Sequence, residues 1–165
     1  MLKINKITCK EARLDDLASL LYCFRHELAL LKERKLTYSR DDAKEELSDY
    51  FTSEYEVYLA DKADKAIAYC ILRVFDKTVW LEQLFVLEEA RRNKYAGKLL
   101  SIANQRANDL SKETAFINVH PNNHKMIKFL ASNDYDVLNL IEVRKLYNKE
   151  KINSKINVGE NSFKY

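Results

Sequence analysis

The sequence predicts an α/β domain with a mixed sheet, on three observations. Thr78 to Val86 (TVWLEQLFV) is apolar on both faces, with Trp80, Leu84 and Val86 alternating with Val79, Leu81 and Phe85, as a covered central strand requires. Two apolar runs precede it across short polar turns, the pattern of an antiparallel meander. After it the apolar residues switch to helical spacing before the next strand begins, so the chain crosses over and returns parallel.

Leu2 to Thr8 alternates weakly through Leu2, Ile4 and Ile7 and is an expected edge strand. Leu14, Leu17, Leu20, Leu21, Phe24, Leu28 and Leu31 mark one helical face, with Asp15 and Asp16 where the N-terminal dipole favours acids. Ser39-x-x-Asp42 reads as a capping box opening a second helix that buries Ala43, Leu47, Tyr50 and Phe51. Tyr55 to Asp61 and Ala66 to Phe75 are strands, turned at Lys62–Lys65 and at Asp76–Lys77. From Tyr95 a helix presents Tyr95, Leu99, Leu100 and Ala103 on one side. Ala115 to His120 is a strand. Pro121 with Asn122 or Asn123 starts a helix carrying Met126, Ile127, Phe129 and Leu130, and Asn133–Asp134 ends it. Tyr135 to Lys145 reads as one long strand. Residues 1–146 form the expected domain and 147–165 a polar arm with room for one small strand.

Composition narrows the function. A chain of 165 residues is long enough to bury a core, and 47% hydrophobic with 32% charged residues describes an ordinary globular protein. A formal charge of +3 does not point to nucleic acid. No apolar run approaches the roughly 20 residues that span a bilayer, and Met1 to Lys10 lacks a signal region, so a cytoplasmic location is expected. Cys9, Cys23 and Cys70 are odd in number, widely spaced and without a Cys-x-x-Cys pair, which suits reduced thiols. Cys23 and His26 share a helix turn, but two ligands do not make a metal site, and no metal is expected. Two glycines stand where average usage gives roughly 11 or 12, so turns must be made from Asn, Asp and Lys.

The stretch that carries chemistry is Thr78 to Arg106. A strand that passes through a basic turn (Arg91, Arg92, Lys94) into a helix aims backbone N–H groups and a positive dipole end at one place, an anion site suited to phosphate. The alternative is a solvated basic turn. Glu82 and Gln83 interrupt an otherwise apolar strand.

These residues in this order resemble the GNAT superfamily of N-acetyltransferases, from Ile4 to about Lys145. Leu81 to Leu100 (LEQLFVLEEARRNKYAGKLL) is similar to the family's acetyl-CoA stretch, Arg/Gln-x-x-Gly-x-Gly/Ala after an aromatic or apolar residue and Val. Arg91 and Ala96 fit its ends and Lys94 stands at the glycine position; a second register, Arg92-x-x-Tyr95-x-Gly97, also fits loosely. Asn123, Met126, Ile127, Phe129, Leu130, Asp134 and Tyr135 resemble the second block, with Leu130 in place of a tyrosine that often protonates the leaving thiolate. The resemblance implies a three-layer fold with a splayed sheet of about six to seven strands and helices on both faces. It implies acetyl-CoA as co-substrate, held by Leu84, Phe85, Val86, Arg91, Arg92, Asn93, Lys94, Tyr95, Ala96, Gly97, Asn123 and Leu130. By likeness to diamine-type members, Glu82 is the expected general base, since an ammonium must lose a proton before its nitrogen can attack and burial tunes a carboxyl toward that task. The competing reading is a Glu paired with a neighbouring Arg or Lys inside the sheet. His120 could serve as base or acceptor ligand; His124 and His26 read as structural.

Expected partners are acetyl-CoA and a primary amine (small amine, polyamine or protein amine), with transfer direct and a homodimer allowed. Two other classes compete. A CoA-binding regulatory or interaction module without catalysis is suggested by Leu130 and Lys94. A nucleic-acid binder using Arg91 to Lys98 would show salt-dependent binding that CoA fails to compete.

Overall fold

The computed structural model of the chain describes residues 1–110 and 114–165. They fall into two compact units, Met1–Tyr135 and Asp136–Tyr165.

The first unit is a five-stranded sheet in the order β1 (Leu2–Ile7), β2 (Tyr55–Lys62), β3 (Lys65–Phe75), β4 (Thr78–Val86), β5 (Phe116–Ile117). The first four strands run antiparallel to their neighbours and β5 is parallel to β4, so the sheet is mixed as expected. Both hairpin turns hold two residues with positive φ, Ala63 and Asp64 at 49° and 59°, Asp76 and Lys77 at 46° and 59°. Two-residue loops of this hand match the twist of the strands they join, which is why a glycine-poor chain tolerates them.

Helices cover both faces. Against one lie α1 (Leu14–Leu31) and α2 (Arg40–Ser48), where Leu17, Leu20, Leu21, Ala43 and Leu47 pack on Val57, Leu59, Tyr69, Ile71 and Phe85. Against the other lie α3 (Tyr95–Asp109) and α4 (His124–Ala131), where Leu99, Leu100, Ala103 and Leu130 pack on Ala68, Cys70, Leu72, Val79 and Val86. The capping box forms as predicted: the Ser39 hydroxyl accepts the Asp42 N–H at 3.1 Å while the Asp42 carboxylate accepts the Ser39 N–H at 2.7 Å. Tyr50 and Phe51 lie beyond the end of α2, in turns whose N–H groups reach back to Leu47 and Ser48. Arg13 straps the start of α1 to the sheet through Asp61, with bonds of 2.7 and 2.9 Å.

Register on β4 carries information that the sequence hides. Ile71 pairs with Gln83 but Leu72 pairs with Leu81, which leaves Glu82 as an extra residue, a β-bulge. Upstream of it Val79 and Leu81 face the α3 layer; downstream Leu84 and Val86 do, and Gln83 and Phe85 turn to the α1 layer.

Three expectations are corrected. Among the described residues the sheet has five strands rather than six or seven. β5 spans two residues rather than Ala115 to His120, and it leaves β4 after Trp80–Phe116 and Leu81–Ile117. Residues 136–147 form no strand: the apolar alternation is present, but a strand exists only where its N–H and C=O groups find a ladder. In the second unit β6 (Lys155–Val158) and β7 (Asn161–Lys164) pair only with each other, turned at Gly159 with φ 59°. No helix among the described residues is long and apolar enough to cross a membrane.

Candidate functional site

Because β5 parts from β4 after two residues, the β5-side edge of Glu82 to Val86 joins no ladder. A cleft of about 270 Å³ opens there, small beside the roughly 300–1,000 Å³ of most ligand sites. It admits a slender group rather than a whole nucleotide. Its walls are Phe24, Arg25 and Leu28 of α1 with Lys32 at its C-terminal cap, Tyr50, Leu81 to Leu84 of β4, Ile117 of β5 with Asn118 to His120 after it, and Asn123 and Met126 at the start of α4. Three predicted residues, Glu82, Leu84 and Asn123, therefore share one cavity.

Glu82 reaches the cleft from the bulge. Its Oε1 lies 2.8 Å from Arg73 Nε, near enough for an ion pair but misaligned for a hydrogen bond, so that buried N–H lacks a directed acceptor. Arg73 also stacks over Trp80, 5.7 Å from the ring centroid. Charge rather than direction holds the carboxylate, which leaves its other oxygen available to a ligand.

Gln83 is the anchor that sequence reasoning did not rank. Its amide is buried, its oxygen accepts the Tyr69 hydroxyl at 2.7 Å, and its nitrogen donates to the Tyr50 hydroxyl at 2.8 Å. Behind it Glu46 receives Tyr38 at 2.6 Å, Tyr50 at 3.3 Å and a short bidentate contact from Arg25. Burial pushes the Glu46 carboxyl up, but hydrogen bonds from Arg25 and Tyr38 outweigh it, and the net shift is downward. Burial first, then Glu46, pushes the Tyr50 phenol up to about 12, so it stays protonated at neutral pH. The interruption of an apolar strand by Glu82–Gln83 was the available signal for this network; its partners, Tyr69 and residues between 25 and 50, cannot be read from spacing.

The basic turn is the second component. Arg92 and Lys94 both have φ of 62°, in the left-handed region, and Asn93 clasps the turn by donating to the carbonyls of Ala90 and Arg91 at 3.1 and 3.0 Å. The lysine at the glycine position is therefore strained, by about 1 kcal/mol. Among the described residues no acceptor meets the N–H groups of Arg92, Asn93, Lys94, Tyr95, Ala96 or Gly97; the first closed bond of α3 is Lys98 N–H to Lys94. A Cβ built on Gly97 would find only Asn133 Oδ1, 4.0 Å away, so the space over the helix start is open. Six N–H groups without an acceptor, at and just before a helix N-terminus, have the chemistry that suits an anion.

Other predicted residues fall outside this pattern. The Arg91 guanidinium donates to Glu27 at 2.6 and 2.7 Å and to the Val86 carbonyl at 2.9 Å, tying the turn to α1. Phe85 faces α1 against Phe24 and Tyr69. Leu130 is 4% exposed, in the core under α4, and is absent from the cleft wall. Asn123 caps α4, accepting the Met126 N–H at 3.1 Å. His120 lines the cleft, its pKa lowered by burial and by Lys32 and Arg34. His26 Nε2 bonds the Tyr38 carbonyl at 3.1 Å. Burial pushes the Cys70 thiol up, away from a thiolate nucleophile. No group of three His, Cys, Asp or Glu among the described residues could hold a metal ion.

Residues 21–135 match the acetyltransferase (GNAT) family. No curated protein matches the sequence. Among solved structures, the chain is similar to a probable acetyltransferase, at 23% identity and TM-score 0.69 over 90% of this chain and 99% of that one. It is similar to aminoglycoside N-acetyltransferase AAC(6')-Iy in complex with CoA, at 15% identity and TM-score 0.68 over 88% and 95%. A third likeness is to a ribosomal-protein-alanine N-acetyltransferase from Brucella melitensis biovar Abortus 2308, at 12% identity and TM-score 0.68 over 89% and 100%. At these identities the structures speak for the fold.

Proposed function

The chain belongs to the acetyltransferase (GNAT) family, and from that premise we propose that it moves an acetyl group from acetyl-CoA directly to a primary amine. The observation that carries this is the row of six acceptorless N–H groups from Arg92 to Gly97 beside an unpaired edge of β4. In this reading the receptor takes the diphosphate, with Lys94 and Arg92 adding charge, and the edge from Leu84 to Val86 receives the amides of the acyl-carrying arm. The crystal structure of AAC(6')-Iy with CoA is support by likeness only.

Bound acetyl-CoA would supply an activated acetyl carbon: from the ammonium, two protons leave nitrogen as a C–N bond forms and the C–S bond breaks, one proton reaches sulfur, and one is released to solvent overall. The chain's own part is to manage those protons and exclude water. Glu82 takes the proton from the ammonium, directly or through a water, and Arg73 keeps its carboxylate turned to the cleft. The bulge places it there by adding a residue that the ladder does not use. Gln83, Tyr50 and Glu46 hold the cleft wall rigid behind it. Leu130 cannot donate a proton, so the thiolate takes one from water. With a thiol pKa of roughly 8.5 that demand is mild.

Thiol release from acetyl-CoA against a panel of amines tests the reading. Glu82→Gln is expected to lower kcat by about 100-fold while CoA binding persists. Equal turnover in both proteins would remove Glu82 from the mechanism. The Glu82–Arg73 ion pair favours one other reading, a CoA-binding module without catalysis; tight CoA binding with no turnover of any amine is its signature.

A further inference from the structure

The carboxylates around the cleft are already claimed: Glu82 by Arg73, Glu46 by Arg25 and Glu27 by Arg91. One cation on the wall is not. Lys32 stands half-buried at the C-terminus of α1, and among the described residues its ammonium has no carboxylate or hydrogen-bond partner. A lysine at a helix end ordinarily serves the exposed carbonyls. Here those carbonyls are occupied: Leu28 and Ala29 by the Lys32 N–H, Leu30 by the Glu33 N–H, and Leu31 by the Asn122 side-chain amide at 3.2 Å. Burial, then Arg34 and Arg25, lower the Lys32 pKa. Across the cleft His120 accepts the Asn122 N–H on Nδ1 at 3.3 Å. The Glu82 carboxylate lines the same cavity.

We propose that Lys32 binds an anionic group carried by the acceptor, so that the amines acetylated here are zwitterionic, amino acids or other aminocarboxylates, rather than polycations. This rests on the transferase reading and adds the substrate class. A carboxylate at Lys32 is the charge that this end of the cleft lacks, while a polyamine or aminoglycoside would bring positive charge against Lys32.

The test pairs each aminocarboxylate with its own carboxamide, across the protein amino acids and short ω-amino acids. Reading kcat/KM at saturating acetyl-CoA, the wild type is expected to prefer acids by about tenfold or more. Lys32→Gln should erase that preference by lowering turnover of acids alone, Lys32→Arg should keep most of it, and KM for acetyl-CoA should not move. Equal turnover of acids and amides overturns the inference and leaves the transferase standing. So does a Lys32→Gln defect that appears as a raised KM for acetyl-CoA and vanishes with acetyl-dephospho-CoA, because the anion is then the cofactor's phosphate. Calorimetric titration of the same pairs into CoA-saturated protein reads the site without chemistry. Acid-selective binding lost in Lys32→Gln upholds the site even if no amine is acetylated, and binding blind to the carboxylate overturns it.

Discussion

The Glu46 carboxylate and the backbone from Arg92 to Gly97 are both polar constructions inside one unit, assembled on opposite plans. Glu46 collects donors from Arg25, Tyr38, Tyr50 and Gln83, so its charge is answered within the protein. The Arg92–Gly97 segment offers six donors to nothing and is held open by two residues in the left-handed region. Left-handed geometry alone does not mark a site. Ala63–Asp64 and Asp76–Lys77 share it, but there strand twist demands it and the flanking ladders repay it. No ladder requires it at Arg92 and Lys94. A satisfied network stabilises the fold, whereas strain next to unsatisfied groups stores binding capacity for a ligand.

If that contrast is right, substitutions should separate stability from binding. The largest effect is expected for Gly97→Glu, which sets a carboxylate over the receptor where there is open space. CoA affinity measured by calorimetry should fall by about 100-fold, the several kcal/mol of a like-charge contact, with the urea midpoint nearly unchanged. Next, Glu46→Ala strips four donors of their acceptor and should cost about 2–3 kcal/mol in urea unfolding, leaving CoA affinity within about twofold. Its pH behaviour sharpens the point. A carboxyl whose folded pKa lies below its ordinary 4.5 adds stability that is present above that value and is lost as the pH falls through the folded pKa. Acid unfolding below pH 4.5 should therefore be steeper in the wild type than in Glu46→Gln. The smallest effect belongs to Lys94→Gly, which relieves the left-handed strain and should raise stability by about 1 kcal/mol while weakening CoA binding severalfold. A stability loss in that variant would mean that the lysine is not strained.

How much of this was legible depended on whether the signal was local. Helix α1 follows from seven leucine and phenylalanine positions at helical spacing, and Ser39-x-x-Asp42 named a cap that forms as written. The basic turn before α3 pointed to an anion site because charge, strand and helix are adjacent in sequence, and its N–H groups from Arg92 to Gly97 do lack acceptors. The bulge was invisible. When both faces of a strand are apolar, a one-residue slip leaves the alternation looking intact, and only pairing with β3 exposes it. The Glu46 cluster, and the open cation at Lys32, bring together residues separated by dozens of positions. Residues 136–147 erred the other way, since their alternation satisfies side chains and says nothing about a backbone partner. Arg91 fitted the motif, yet its guanidinium is spent on Glu27 and the Val86 carbonyl, a long-range preference no spacing encodes.

The surplus residue in β4 has a consequence for how this chain can change. Replacing Glu82 alters chemistry at one point and leaves the sheet intact. Deleting it would let Gln83 follow Leu81 in a regular ladder, with Val79, Leu81, Leu84 and Val86 on the layer they already face, so only the carboxylate at the cleft would be lost. The ladder therefore does without this position, and what the extra residue supplies is a side chain at the cleft rather than support for the sheet.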